Sequence, residues 1–247
     1  MNNKKVINHI VDWIKSYVDN HAPLTQSLVV GVSGGIDSAL TSILCSLTGI
    51  RTIAVKIPLK SSNIDLSRIH CDNLIAKFVN TEILEIDLTD TYECFFKTCK
   101  SNGITSPLGF ANSKSRMRMI LLYQIAATYS GLVVGTGNKV EDFGVGFYTK
   151  YGDGGVDVSP IADLTKTEVR LLAEELSIHK DIISAAPSDG LWDDGRTDEQ
   201  QLGLSYDDIE DAMSNEKSPH REAYISVRNK NIHKMRPIPV CTIEDKD

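Results

Sequence analysis

The stretch LVVGVSGGIDSAL, residues 28–40, joins two apolar runs through a glycine loop. The first run, residues 28–32, is short and rich in valine, which is typical of a buried strand. After Ser33-Gly34-Gly35 the chain continues as Ile36-Asp37-Ser38-Ala39-Leu40, and this pattern indicates the first turns of a helix. The stretch therefore predicts a strand that turns through a glycine loop directly into a helix.

The rest of the chain repeats this alternation of strand and helix. After an amphipathic first helix around residues 6–18, the pattern predicts helices at 37–47, 65–79, 90–100 and 111–130 and strands at 51–59, 81–88 and 131–137. Thr165 and Glu168 have capping-box spacing, which predicts a further helix start. Helices that alternate with short β-branched runs imply an α/β fold: a doubly wound, mostly parallel sheet with helices on both faces.

The composition is that of an ordinary globular protein, with 247 residues, 41% apolar and 24% charged. We expect one domain over residues 1–247, because no repeat or linker interrupts the pattern. Segment 187–203, PSDGLWDDGRTDEQQLG, is dense in Pro, Gly and Asp and predicts an exposed loop. The passage 144–160 is rich in glycine and has no clear periodicity.

Charge and hydropathy narrow the function classes. A net charge of −7 argues against nucleic-acid binding, which requires dense Lys and Arg surfaces. No apolar run approaches the roughly 18 residues that span a bilayer, and the N-terminus lacks the pattern of a signal peptide. The five cysteines are odd in number and show no zinc-ligand spacing. We therefore expect a cytoplasmic protein with free thiols that binds neither membranes nor nucleic acid.

The glycine loop has the chemistry of a phosphate site. In an open parallel sheet the ligand crevice lies beyond the carboxyl ends of the strands, and the amides of Ser33, Gly34 and Gly35 would point into it in front of a helix N-terminus. The loop matches neither the Walker A pattern nor GxGxxG. Asp37 would repel a phosphate unless a cation such as Mg²⁺ lay between them. The alternative is a turn that only connects strand and helix.

The string SGGIDS, residues 33–38, resembles the pyrophosphate loop of the N-type ATP pyrophosphatases, which cleave ATP between the α and β phosphates to adenylylate a substrate. Six further segments resemble, in the same order, the ammonia-dependent NAD synthetases of that superfamily. They are ANSKSRMRM (111–119), GTGNKVED (135–142), GFYTKYGDGGVDVSPIADLTKTEVR (146–170), APSDGLW (186–192), RTDEQQLGLSYDDIE (196–210) and NIHKMRPIP (231–239). The resemblance covers almost the whole chain and implies a Rossmann-like, adenine-nucleotide α-hydrolase-like fold.

The resemblance also implies a reaction. The nicotinate carboxylate of deamido-NAD resists attack by an amine, because it is anionic and has no good leaving group. Its adenylylation by ATP releases pyrophosphate and gives an acyl-AMP. Ammonia then attacks the acyl carbon, which yields NAD and AMP in the last step of NAD biosynthesis. Free ammonia is the expected donor unless a separate glutaminase subunit supplies it, and the family implies a homodimer.

The site residues follow from the resemblance. The ATP-binding residues would be Gly31, Val32, Ser33, Gly34, Gly35, Ile36, Asp37, Ser38, Thr136, Lys166 and Ser188. Deamido-NAD would be bound by Arg116, Lys150, Asp157, His233 and Lys234. Asp37, Lys166 and Asp157 would be catalytic, and Asp37 and Glu141 would hold Mg²⁺.

Several of these assignments have competitors. Asp142 competes with Glu141 as metal ligand, because one extra residue separates Glu141 from the next motif. Taken alone, Lys150, Lys166 and His233 are also compatible with solvated surface residues. We hypothesise that segment 187–203 is a lid over the labile acyl-adenylate. The functional alternatives are an ATP pyrophosphatase with another acceptor and a nucleotide-binding module without turnover.

Overall fold

A parallel sheet forms the centre of the computed structural model, which describes residues 2–59 and 64–243. Within these residues the sheet has four strands, in the order β3-β2-β1-β4. All three strand pairs are parallel. The strands are β1 Ser27–Gly31, β2 Arg51–Lys56, β3 Thr81–Glu85 and β4 Gly131–Val134.

Helices fill the connections between the strands and most of the chain after them. The helices up to β4 are α1 Asn3–His21, α2 Ile36–Leu47, α3 Ile64–Lys77, α4 Thr89–Ser101 and α5 Pro107–Thr128. After β4 come a π-helix Lys139–Val145, α6 Lys166–Glu175, α7 Lys180–Ser184, α8 Asp198–Leu202, α9 Tyr206–Ser214 and α10 Arg221–Met235. In the described part of the chain, none of these helices combines the length and apolar character that a bilayer crossing requires.

Strand residues alternate between two apolar cores, as expected for a sheet covered on both faces. Leu28 and Val30 of β1 belong to a core that includes residues of α1, α2 and α6. Val29, between them, belongs to the core on the α5 side. The predicted α/β fold with a doubly wound parallel sheet is therefore confirmed.

The strand order brings two loops together at one edge of the sheet. The chain leaves β1 toward β2 on one side, whereas β4 pairs with β1 on the other side. The loops after β1 and β4 therefore flank the point where the strand order reverses, the usual position of a ligand crevice in such sheets. Beyond β4, Val134 and Val158 form a parallel bridge, which brings the glycine-rich passage back to this edge.

A third apolar cluster lies apart from the two sheet cores. It joins the π-helix to α8, α9 and α10 through Val140, Val145, Leu202, Tyr206, Ile209, Ala212 and Tyr224. Asn231 of α10 donates to the carbonyl of Val145 at 2.9 Å, and Gly146 ends the π-helix with φ of +67°. The C-terminal helices therefore fix the position of the π-helix.

Two local expectations need correction. Segment 187–203 is not loop throughout, because Asp198–Leu202 is helical with a capping box formed by Thr197 and Gln200. The π-helix Lys139–Val145 follows the strand that was predicted at 131–137 and includes the first two residues of the glycine-rich passage 144–160, and no helix was predicted there. The capping box of Thr165 and Glu168 is present as predicted, with Thr165 N donating to Glu168 Oε2 at 2.9 Å.

Candidate active site

The glycine loop after β1 is closed by its own serines. The Ser33 amide donates to Ser38 Oγ at 3.2 Å, and the Gly35 amide donates to Ser33 Oγ at 3.2 Å. Gly34 between them has φ of +90°, a conformation that glycine adopts without strain. Two of the three amides that were predicted to point at a ligand thus donate within the loop.

A lysine and two carboxylates from distant parts of the chain meet beside this loop. Lys166 Nζ lies 2.6 Å from Asp37 Oδ2 and 2.8 Å from Glu141 Oε1. Asp37 stands in the first turn of α2, Glu141 in the π-helix, and Lys166 at the first residue of α6. Only 2% of Lys166 is exposed, so the surface-lysine interpretation is wrong for this residue.

Asn138 connects the loop after β4 to this centre. Its Nδ2 donates to Asp37 Oδ1 at 3.1 Å, and its Oδ1 accepts from the amides of Val140 and Glu141, both at 3.0 Å. One fully buried side chain therefore caps the π-helix and orients Asp37. Asn138 was not among the residues selected from the sequence, although an asparagine before a helix is a capping signal.

Tyr206 and Asp198 extend the centre toward segment 187–203. The Tyr206 hydroxyl lies 2.5 Å from Glu141 Oε1 and 3.2 Å from Asp198 Oδ2. Asp198 Oδ1 accepts from the amide of Asp189 at 2.9 Å. Both Tyr206 and Asp198 are buried, and neither was selected from the sequence.

Burial and proximity shift the proton affinities of this centre. Burial alone would lower the pKa of Lys166, but the carboxylates of Asp37 and Glu141 raise it above its ordinary value. Burial raises the pKa of Asp37 despite the neighbouring ammonium. Burial, together with the charges of Glu141 and Asp189, raises the pKa of Asp198 to about 7. Lys166 therefore remains a fixed cation, while Asp198 is a carboxyl group that can hold a proton near neutral pH.

The centre forms part of the wall of a cavity of about 750 Å³. The whole predicted ATP set lines this cavity, from the loop residues 31–38 to Thr136, Lys166 and Ser188. Three predicted deamido-NAD residues line it as well: Arg116, Lys150 and Lys234. The structure therefore brings together most of the residues that the sequence selected.

Asp157 and His233 do not line this cavity. Asp157 accepts from the Val133 amide at 2.7 Å and from the Tyr123 hydroxyl at 3.0 Å. Tyr123 lines a second, more open groove of about 610 Å³, together with Met119, Ile120, Gln124, Tyr151 and Gly155. Asp157 is therefore placed beside this groove, and the His233 side chain is exposed on α10.

Asp142, the competitor of Glu141, also lines the cavity, but its carboxylate lies beside Gly137. Its carboxylate fills the space beside Gly137, where an added Cβ would lie 1.9 Å from Asp142 Oδ2. Burial and the charges of Asp153 and Glu141 raise the pKa of Asp142 well above its ordinary value. Glu141, and not Asp142, contacts the Lys166 ammonium together with Asp37.

The fold, the glycine loop and the buried lysine between two carboxylates define an α/β protein with a polar cavity at the carboxyl ends of its strands. A family model described as NAD synthase matches residues 6–241, so the chain belongs to the NAD synthase family. The NH(3)-dependent NAD(+) synthetase of Archaeoglobus fulgidus is 36% identical over 99% of both chains.

Two solved structures are also similar. NMN synthetase from Francisella tularensis is 30% identical with a TM-score of 0.88, covering 98% of this chain and 100% of that one. NH3-dependent NAD synthetase from Campylobacter jejuni is 26% identical with a TM-score of 0.77, at the same coverage.

Proposed function

We propose that this chain catalyses the ATP-dependent amidation of deamido-NAD with ammonia. The products are NAD, AMP and pyrophosphate, and the intermediate is an acyl-adenylate. The observation that carries the proposal is the buried Lys166 ammonium, which contacts Asp37 behind the glycine loop and Glu141 of the π-helix. This pairing faces a cavity within the size range of small-molecule sites.

The residues of the cavity wall suit the adenylylation step. Attack of the nicotinate carboxylate on ATP moves negative charge onto the departing pyrophosphate. Lys166 is held by two carboxylates and buried, so it needs little reorganisation to stabilise that charge. We assign ATP to residues 31–38, Thr136, Lys166 and Ser188 on this basis.

Magnesium is part of the proposal. Mg²⁺ usually takes one or two carboxylates together with phosphate oxygens and waters. Asp37 and Glu141 fit this donor set, since both carboxylates reach the same ammonium and so lie within reach of one cation. In residues 2–59 and 64–243 no group of three or more His, Cys, Asp and Glu could hold a metal, so phosphate oxygens would complete the coordination. The ion would neutralise phosphate charge when bound.

The acceptor is proposed to extend from the cavity to the second groove. Arg116, Lys150 and Lys234 offer positive charge on the cavity side. Asp157 stands beside the groove through its bond to Tyr123, which supports a role in acceptor binding or catalysis there. His233 is proposed as an acceptor ligand on the resemblance alone.

A homodimer is proposed for the exposed apolar face around the groove. Ile120 is 70% exposed and Tyr151 60%, and a second copy would remove this surface from water. The cytoplasmic location and the single domain over residues 1–247 stay predictions. Light scattering coupled to gel filtration tests the dimer, and a monomer at micromolar concentration would contradict it.

A second candidate acceptor is nicotinate mononucleotide, which lacks the adenylate half of deamido-NAD. The observation that favours it is the TM-score of 0.88 to a solved NMN synthetase, against 0.77 to the NAD synthetase. The same chemistry applies to both acceptors, because each carries the nicotinate carboxylate. The product would then be NMN.

One experiment tests both candidates and the nitrogen donor. The protein is incubated with ATP, Mg²⁺ and ammonium, with either deamido-NAD or nicotinate mononucleotide, and pyrophosphate is followed with the amide product. A parallel incubation contains glutamine in place of ammonium. We expect equal amounts of NAD and pyrophosphate with deamido-NAD and ammonium, and no NAD with glutamine. A higher kcat/KM with nicotinate mononucleotide would favour the second candidate. If neither acceptor leads to pyrophosphate release, both candidate functions are overturned.

A further inference from the structure

Arg118 of α5 carries a guanidinium group that the protein itself leaves almost unused. We infer that Arg118 binds the pyrophosphate part of ATP beside the glycine loop, as a further ligand-binding residue of the site. This inference rests on the proposed function, and Arg118 is not among the site residues that were predicted from the sequence.

Most other cations of the cavity wall already have protein partners. Lys56 pairs with Glu85 at 2.5 Å, Lys166 pairs with Asp37 and Glu141, and Lys234 donates to the Tyr148 carbonyl at 2.5 Å. Arg116 is exposed on the neighbouring face of α5 and donates to the Lys150 carbonyl at 3.1 Å. Each of these groups therefore already uses one or more of its N–H donors within the protein.

Arg118 differs from them. Its Nε donates one long hydrogen bond of 3.5 Å to the Ile57 carbonyl. In residues 2–59 and 64–243 no carboxylate lies within ion-pair distance of it. A guanidinium has five N–H donors, so most of its donors remain for a ligand. Burial lowers the pKa of Arg118, and the charges of Asp153 and Asp189 only partly offset this effect.

The sheet register places this guanidinium next to the loop. Gly31 of β1 pairs with Val55 of β2, and the next residue, Val32, donates to the Val55 carbonyl at 2.8 Å. The glycine loop therefore leaves β1 beside the end of β2, and Ser33 and Ile57 both line the cavity there. Arg118 contacts the carbonyl of Ile57. Leu122, one turn later on the same face of α5, lies 3.4 Å from the Cβ position of Gly31. Arg118 therefore projects one turn closer to the loop than Leu122 does.

The chemistry of the loop calls for a further cation. Two of its amides donate to serine hydroxyls, and the chain as a whole has a net charge of −7. A planar guanidinium can donate to two phosphate oxygens at once. A half-buried charge without a partner costs folding free energy, and such costs are typical of groups that serve a ligand.

The test compares Arg118→Gln and Arg118→Lys with Arg51→Gln. Arg51 is a matched control, because it lies at the opposite end of β2 and pairs with Glu82 on the surface. Calorimetry measures Kd for inorganic pyrophosphate, ATP and AMP, and a thermal melt measures the Tm of the ligand-free protein. For Arg118→Gln we expect at least about a tenfold weaker affinity for pyrophosphate and ATP, an unchanged affinity for AMP, and a Tm that is not lowered. Arg118→Lys should recover part of the lost affinity, since it restores the positive charge but not the planar group that donates to two phosphate oxygens at once.

Several outcomes would overturn the inference. Unchanged pyrophosphate affinity in Arg118→Gln would do so, and so would an equal loss for AMP, which would place the contact on the α-phosphate. If Arg118→Gln does not fold, a pyrophosphate affinity of Arg118→Lys equal to that of Arg51→Gln is the contradicting result. Binding is measured without an acceptor. A protein that binds pyrophosphate through Arg118 but makes neither NAD nor NMN would therefore refute the proposed function and leave this inference standing.

Discussion

The Tyr206 hydroxyl lies 2.5 Å from Oε1 of Glu141, the same oxygen that contacts Lys166. A hydroxyl has one proton to donate, and the shorter of its two contacts, to Glu141, takes it. Asp198, at 3.2 Å, is then best placed as the donor to the tyrosine oxygen, which agrees with its pKa of about 7. Tyr206 therefore links segment 187–203 to the proposed metal ligand.

The first prediction concerns Tyr206→Phe. Loss of the hydroxyl frees Glu141 on one side, and groups that orient metal ligands typically contribute about 10–100-fold to metal affinity or activity. We expect the Mg²⁺ concentration for half-maximal pyrophosphate release to rise by about that factor. Tyr224→Phe is the control, because Tyr224 is buried in the same apolar cluster. Equal Mg²⁺ dependence of the two variants would contradict the prediction.

The second prediction concerns stability. Lys166→Met leaves the carboxylates of Asp37 and Glu141, whose side chains are 17% and 15% exposed, without their shared cation. Breaking a buried ion pair typically costs about 3–5 kcal/mol. Urea unfolding should show a loss of this size in the free energy of unfolding, with no pyrophosphate release. The control is Lys139→Met, which removes a 2.9 Å pair to Asp163 whose side chains are 41% and 96% exposed. We expect less than about 1 kcal/mol for the control; similar losses in both variants would refute the buried-pair account.

The third prediction concerns pH and His70. Ser42 Oγ donates its one proton to the Ala39 carbonyl at 3.0 Å. His70 Nε2 therefore carries a proton and donates it to Ser42 Oγ at 2.7 Å. Burial lowers the pKa of His70 from 6.5 to about 4. Between these values the unfolded chain binds more protons than the folded protein, so the free energy of unfolding falls as the pH is lowered through this window. The shift corresponds to about 3 kcal/mol.

Chemical denaturation at several pH values checks this. His70→Gln keeps a side-chain N–H donor but does not titrate, so its unfolding free energy should fall less between pH 6.5 and 4 than that of the wild type. His9→Gln, at an exposed position of α1, should behave like the wild type. Parallel pH curves for all three proteins would show that His70 is not responsible.

The fourth prediction tests the lid hypothesis. Lys114 is 4% exposed, and its Nζ donates to the Leu191 carbonyl at 2.9 Å and to Asp193 at 3.0 Å. Arg196 is the single tryptic site of segment 187–203. Lys114→Met should raise the cleavage rate after Arg196 by about tenfold, since two charge-assisted bonds are lost. ATP with deamido-NAD should lower the rate in the wild type.

The control and the contrary result are equally concrete. Lys97→Met removes an exposed lysine of α4 and should leave the cleavage rate unchanged. If cleavage after Arg196 proceeds at one rate with and without both substrates, segment 187–203 does not close over them. If Lys114→Met cleaves like Lys97→Met, the two bonds of Lys114 do not hold the segment.

Local signals explain what the sequence predicted. The strand, the glycine loop and the start of α2 are contiguous, so their periodicity and turn residues define them without tertiary information. The position of Lys166 in a buried centre came from the resemblance alone, because the residue itself is equally compatible with a solvated surface. Within α5, Arg116 and Arg118 are two residues apart and point to different faces. The packing of α5 on β1 decides which of them turns inward, and no local pattern contains that information.

The residues that were missed depend on contacts distant in sequence. Tyr206 and Glu141 are 65 positions apart, and Asn138 and Asp37 are 101 apart. Each contact forms only after the sheet and the C-terminal helices have assembled. Asp157 illustrates the reverse case: its motif was recognised, but the parallel bridge beyond β4 places its carboxylate against Val133 and Tyr123. The position of Asp157 in its motif therefore did not determine which side of β4 its carboxylate would face.

Because residues 139–145 form a π-helix, the geometry of the site depends on the number of residues in this turn as well as on their identity. A π-turn holds one residue more than an α-turn, and Asn138 and Arg228 contact its two ends. Removing one residue would convert the turn to α geometry and rotate one flank against the other by about 100°. Glu141 could then no longer face Lys166 while Asn231 still held Val145. A change in length at this turn should therefore inactivate the protein where replacing the exposed Phe143 would not.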